Sequence, residues 1–327
     1  MFFKKNNLKL KEQYIKFCEV TQGLTIFMQP WFLDIVCGSN NWDICMDISK
    51  NGKVNGVLVF HFVQKWGFKI LKMPTLTPYM NLWIRNETTW KTEYKLSFEK
   101  SVLQNIFSQL PTSVFSLQMY PPSLQNWLPL WWAGYRVEPM MNYVLDDLKD
   151  IDCVWLDMKS TIRNTINKAK KLNVKITTCE DIDLFYSIFK QTVERIGFKT
   201  GITQRILSEL HQEIQNRNAG KIFLAIDADG NICATFYIIW NEITAFYWIA
   251  AMNENFNKNG ATSLLLWEVL QKMNQQGIQK FVAIGSMAKN LEFFITRFGF
   301  KQEVYWKITR YGNRFFEFLH FLKKTIL

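Results

Sequence analysis

The chain has 327 residues, 48% of them hydrophobic and 16% aromatic, with a formal net charge of +11. Length and apolar content suit about two domains with real cores and exclude a disordered chain. The longest apolar runs, such as 233–240, fall far short of the roughly 20 residues that span a bilayer, and the basic start Met1-Phe2-Phe3-Lys4-Lys5 has no apolar stretch of signal-peptide type behind it.

The sequence therefore predicts a cytoplasmic protein without a transmembrane segment. Six cysteines without C-x-x-C spacing, and the widely separated His61, His211 and His320, argue against zinc or a disulfide framework, so no metal is expected. The positive charge favours a polyanionic partner such as RNA, anionic headgroups or a phosphorylated substrate, and its sign does not choose among them.

In chain order, the first half reads as a helix over 30–37, strands over 42–49, 54–64 and 68–71 with a Lys50-Asn51-Gly52-Lys53 turn, and a helix over 97–110. A strand over 114–120, a helix over 123–132 and a strand over 135–145 follow. A charged segment, Asp146-Asp147-Leu148-Lys149-Asp150, then marks a boundary between domains 1–150 and 151–327.

The second half opens with a basic helix, capped by Ser160, whose apolar face is Ile162, Ile166, Ala169 and Leu172. A strand over 174–177, helices over 182–196 and 204–216, and a three-strand antiparallel meander over 222–226, 233–240 and 244–250 follow; Asp227-Ala228-Asp229-Gly230-Asn231 is the meander's first turn. A loop over 253–260 leads to a helix over 261–275, a strand over 280–284, a helix over 290–298 and a strand over 302–309. Gly134-Tyr135-Arg136-Val137-Glu138 echoes Gly299-Phe300-Lys301-Gln302-Glu303, each opening the last strand of its half, which with the shared element order suggests a duplication.

This order resembles the GNAT acetyltransferase fold, and its doubling resembles the Fem family of peptidoglycan peptidyltransferases. Arg163-Asn164-Thr165-Ile166-Asn167-Lys168-Ala169-Lys170-Lys171-Leu172-Asn173-Val174 is similar to the R-x-x-I-x-K-A-x-K-x-x-V helix that opens the second Fem domain. Asn259-Gly260-Ala261-Thr262-Ser263 is similar to the loop-to-helix segment of the GNAT cofactor site, and Gly285-Ser286-Met287 with Phe293-Phe294-Ile295-Thr296-Arg297-Phe298-Gly299-Phe300 to the end of Fem-like domains. Two departures stand out. Asn257-Lys258-Asn259-Gly260-Ala261-Thr262 lacks the first and last residues of the R/Q-x-x-G-x-G/A phosphate loop, and Ile295 stands where Fem peptidyltransferases tend to place lysine.

The resemblance implies an α/β (α+β) protein of two tandem GNAT-like domains, each a mixed, mainly antiparallel sheet flanked by helices. It implies an N-acyltransferase that moves an acyl group from acyl-coenzyme A to an amine acceptor bound between the domains. The alternatives are transfer from aminoacyl-tRNA to a cell-wall precursor, or a non-catalytic binding protein on a degenerate fold. A glycine at a helix mouth lets backbone N–H groups face a pyrophosphate, which makes Asn257, Asn259, Gly260, Ala261, Thr262 and Ser263 the donor-binding candidates, although an ordinary loop with Gly260 near the cap is the simpler reading.

Backbone at Ile249 and Ala250, on a strand that splays from its neighbour in GNAT folds, would meet a developing oxyanion. Tyr247, Glu254, Ser286 and Glu292 are candidates to take the amine proton. Arg163, Lys168 and Lys289 are candidates for substrate phosphate, against the simpler reading of a solvated helix face for the first two. Tyr79, in Met73-Pro74-Thr75-Leu76-Thr77-Pro78-Tyr79, is a substrate-groove candidate. Neither acceptor identity nor oligomeric state is encoded legibly.

Overall fold

The computed structural model describes residues 2–65, 67–80, 82–197, 200–253, 256, 259–285, 287–312 and 317, with side chains from Leu8 onward. The chain divides into two compact units, Met1–Met140 with Val304–Leu327, and Met141–Glu303. The division thus falls ten residues before the expected 150/151 boundary, and the last strand contributes to both units. Asp150 is no linker residue: its carboxylate accepts from the Cys153 amide at 2.9 Å and caps a helix that the sequence reading did not contain.

In unit 1, α1 (Phe2–Val20) and α2 (Pro30–Cys37) precede β1 (Trp42–Ile48), β2 (Val54–Lys65), β3 (Phe68–Leu71) and β4 (Leu82–Ile84). Then come α3 (Thr92–Ser108), β5 (Phe115–Tyr120), α4 (Leu128–Trp132) and the start of β6 (Arg136–Leu145). The helix expected over 123–132 is only the five residues of α4. β1, β2 and β3 pair antiparallel in sequence, β4 lies on β2, and β3 pairs in parallel with β5. A parallel pair needs a long crossover, and α3 lies within it. Its core gathers Tyr14, Leu33, Leu58, Leu103 and Tyr120, all below 2% exposed.

Unit 2 contains the end of β6, α5 (Ile151–Asp157), α6 (Ser160–Lys171), β7 (Lys175–Cys179), α7 (Ile182–Arg195), α8 (Gln204–Asn216) and the meander β8 (Gly220–Ile226), β9 (Ile232–Trp240) and β10 (Thr244–Met252). It continues with α9 (Ala261–Gln275), β11 (Lys280–Ala283), α10 (Lys289–Ile295) and the start of β12 (Lys301–Tyr311). Strand order is β6-β11-β10-β9-β8-β7, antiparallel except where β10 meets β11. The meander turn forms as its sequence demands: the Asp227 carboxylate accepts from the amides of Asp229 and Asn231 at 3.0 and 2.8 Å. α9 is apolar nearly all round and buried accordingly, from Ala261 to Met273.

The two units repeat one pairing scheme, an antiparallel meander whose third strand pairs in parallel across a helical crossover, and so both carry the mixed, mainly antiparallel sheet that was expected. Their last strands are exchanged, however. β5 pairs with Trp306–Tyr311 of β12, and β11 pairs with Tyr143–Leu145 of β6.

Two buried histidines make stability depend on pH. His211 has Nδ1 2.8 Å from the Tyr237 hydroxyl and Nε2 3.1 Å from the Glu180 carbonyl, and His61 has Nδ1 2.8 Å from the Asn41 carbonyl. Burial, opposed by these carbonyls, holds both imidazoles below their ordinary value. Below the unfolded value of about 6.5 the unfolded chain binds more protons than the folded one, so stability falls on acidification, by at most about 1.4 kcal/mol per pH unit for each histidine. Urea unfolding at pH 7.5 and 5.5 should show this loss, and His211→Gln should flatten part of it.

Candidate active site

The site is built where β10 and β11 part. Their parallel register runs from Thr244↔Lys280 to Tyr247↔Ala283 and stops, while β10 continues to Met252. At the parting β10 carries a bulge between Tyr247 and Ile249 against β9, a device that re-aims backbone groups beside active sites. At the strand's end the Met252 amide donates to the Thr192 hydroxyl at 3.2 Å, and its carbonyl accepts from Thr192 and Arg195, both at 3.2 Å. The backbone of Met252 therefore points away from β9. By strand alternation the Ala250 amide points the same way, whereas Ile249 turns to β9. Of the two expected oxyanion residues, Ala250 is the one so oriented.

Tyr143, Ala283 and Tyr247 form one row across β6, β11 and β10, so the two tyrosines share a face about 10 Å apart. Tyr247 is packed into the core: its ring lies 4.6 Å from Phe236, and burial drives its hydroxyl far above its ordinary value. The tyrosine that meets a carboxylate is Tyr143. Its hydroxyl donates to Glu292 Oε1 at 3.0 Å and accepts from Gln302 Nε2 at 2.9 Å. Glu292 sits on α10, half-buried just beyond β11. Of the four expected proton acceptors, Glu292 is thus held by Tyr143, itself fixed by Gln302, while Glu254 and Ser286 lie outside the described residues.

The start of α9 is arranged differently from a phosphate loop. Gly260 has φ 79°, and a Cβ there would meet Thr165 Cγ2 and the Thr165 carbonyl at 2.8 Å, because α6 packs directly on this end of α9. Asn259 Oδ1 accepts from the Ala261 amide at 3.0 Å, and the Ser263 and Leu264 amides both donate to the Gly260 carbonyl at 3.1 Å. Ala261 and Ser263 are buried. The amides of Ala261 and Ser263 that a pyrophosphate would need are thus engaged within the loop, and its glycine is accounted for by helix packing. Two of the candidate amides in the described part of the loop, Asn259 to Ser263, thus have partners within the loop; Asn257 lies outside the described residues.

The expected substrate-binding residues scatter. Arg163 is committed to the C-terminus of α5, donating to the carbonyls of Trp155 and Leu156 at 3.1 and 2.7 Å, and Ser160 makes no cap. Lys168 is exposed on α6 beside Lys171, whereas Lys170 pairs with Glu268 at 3.3 Å. Lys289 is exposed at the start of α10, one turn from Glu292. Tyr79 is buried in unit 1 with its ring 5.3 Å from Tyr305. Sequence reading missed Tyr143 and Gln302; the Gly299 echo marks the approach to Gln302, but nothing local singles out a buried strand tyrosine.

Residues 157–289 match the family model described as an acetyltransferase (GNAT) domain. No curated protein matches the sequence. Among solved structures, FemX superposes with a TM-score of 0.66 at 10% identity, covering 90% of this chain and 95% of its own. The fold is that of the Fem-like double-GNAT proteins. The C-terminal domain of a putative lysylphosphatidylglycerol synthetase from Agrobacterium fabrum follows with a TM-score of 0.59 at 13% identity, covering 98% of this chain and 97% of its own. L-PGS from Bacillus licheniformis gives 0.55 at 12% identity, covering 91% and 90%. Among the described residues no helix is long and apolar enough to cross a membrane.

Proposed function

We propose that this protein is an acyltransferase acting on an amine, with its chemistry in unit 2 at the parting of β10 and β11. The amine nitrogen attacks the acyl carbon of an activated ester; the oxyanion that forms faces the Ala250 amide, and Glu292 accepts the proton the amine must lose. Collapse forms the amide and expels the ester oxygen, which takes a proton back. Tyr143, fixed by Gln302, holds the carboxylate in orientation. The observation that carries this reading is the Gln302–Tyr143–Glu292 chain beside the end of β11, because a half-buried carboxylate at that position has a defined geometry rather than a solvated one.

The donor reading follows from the start of α9. With the Ala261 and Ser263 amides engaged within the loop, our first reading is an aminoacyl ester carried on tRNA, supported by the net charge of +11, exposed Lys168 and Lys171, and the likeness to a protein named for making lysylphosphatidylglycerol. The match of 157–289 to an acetyltransferase domain favours acyl-coenzyme A as the second reading. A cell-wall precursor remains one candidate acceptor, and a cytoplasmic location suits either donor.

Titration separates the donors. Filter binding of charged tRNA is expected to be measurable at 50 mM salt and to weaken steeply by 200 mM, since each phosphate contact releases counterions. Calorimetry with acetyl-coenzyme A and longer esters is expected to give no heat. Saturable heat with any of these esters would instead establish the coenzyme A reading.

A further inference from the structure

Unit 1 contains a cavity of about 280 Å³ between α3, β4 and the segment after β5. Its size lies at the lower edge of small-molecule sites, roughly 300 to 1,000 Å³. Leu82, Leu103 and Leu124, all buried, form an apolar floor. The walls are polar, and two of them carry opposite charge: Lys95 and Glu99, four residues apart on α3 and both half-buried.

Opposite charges at that helical spacing ordinarily meet. Here they do not, although Lys190–Glu194 and Arg205–Glu209 pair at the same spacing elsewhere in the chain. Glu99 instead lies beside the Asn126 amide, which itself donates to the Leu96 carbonyl at 3.2 Å; burial pushes its carboxyl up from the ordinary range, opposed by the charge of Lys95 and by the Asn126 side chain. A cation and an anion that share one apolar floor without closing into an ion pair form a template for a molecule that carries both charges in the reverse sense.

We infer that this cavity binds a small zwitterion, an α-amino acid or a compound with the same ammonium and carboxylate, whose ammonium group meets Glu99, whose carboxylate meets Lys95, and whose apolar side chain rests on Leu103 and Leu124. The inference rests on unit 1 alone and does not depend on the acyl-transfer reading. A free amine delivered by such a ligand also belongs to the class of compound an amine acyltransferase consumes.

The test is calorimetric titration of the full chain with L-alanine, L-valine and L-leucine, beside N-acetyl-L-valine and L-valinamide, which each lack one charge. At least one free amino acid is expected to bind, with both blocked forms at least tenfold weaker. Glu99→Gln and Lys95→Met should each abolish binding while leaving the thermal midpoint unchanged, since both side chains are partly solvated. Absence of heat with every free amino acid at 10 mM, or equal binding of the blocked forms, would overturn the inference. Retained affinity in both correctly folded variants would overturn it as well.

Discussion

Replacing Glu292 by glutamine should lower kcat/KM for amine acylation by about 10² to 10⁴, the range for removing a positioned general base. Glutamine keeps the shape of the side chain and an oxygen to accept from the Tyr143 hydroxyl, so folding should be intact and the thermal midpoint close to that of the parent. Tyr143→Phe leaves the carboxylate in place and removes the hydrogen bond that orients it; about a tenfold loss is expected, with KM little changed. Full activity in Glu292→Gln would remove this residue from the mechanism and return the search to Glu254 and Ser286.

Gly260→Ala should destabilise unit 2 by about 3 kcal/mol. Two costs combine: a left-handed φ is unfavourable for alanine by about 1 to 2 kcal/mol, and the new methyl group meets backbone of α6 that cannot swing aside. Gly230→Ala is the control. Its φ is 88° and nothing lies within 4 Å of the added carbon, so it bears the first cost alone. Urea unfolding of both variants, compared by midpoint, isolates the packing contribution. Were Gly260 instead kept free for a bound phosphate, the two variants would unfold alike, and only donor binding would suffer in Gly260→Ala.

Much of the architecture was legible because local signals and tertiary structure agree. The meander β8–β10 follows from apolar strands around an Asp–Asn turn, and α9 from a long apolar run after a left-handed glycine. The duplication was readable in the glycine echo before β6 and β12, but the exchange of those strands was not. Alternation identifies a strand without naming its partner, and β12 finds β5 nearly two hundred residues earlier. α5 was hidden in charged sequence, its only local cue being the Asp150 cap.

The site was half legible for a related reason. Glu292 stood among the candidates, but its partner Tyr143 lies 149 residues away and Gln302 joins from a third element. Arg163 and Gly260 looked functional because a basic helix and a helix-mouth glycine serve anions in many proteins. Here each is absorbed by packing: the guanidinium closes α5, and the glycine makes room for Thr165. Arg163 answers to a helix that the sequence reading did not contain, and Gly260 to a neighbour 95 residues away, which no spacing rule reveals.

The most direct test of acyl transfer in unit 2 requires no knowledge of the natural acceptor. Hydroxylamine is a small amine-type nucleophile that traps activated esters as hydroxamates, so the purified protein can be mixed with fully charged tRNA and hydroxylamine and the hydroxamate measured over time. The account predicts formation well above the protein-free rate, abolished in Glu292→Gln and suppressed at high salt. A rate equal to that without protein, or one unchanged by Glu292→Gln, would contradict it.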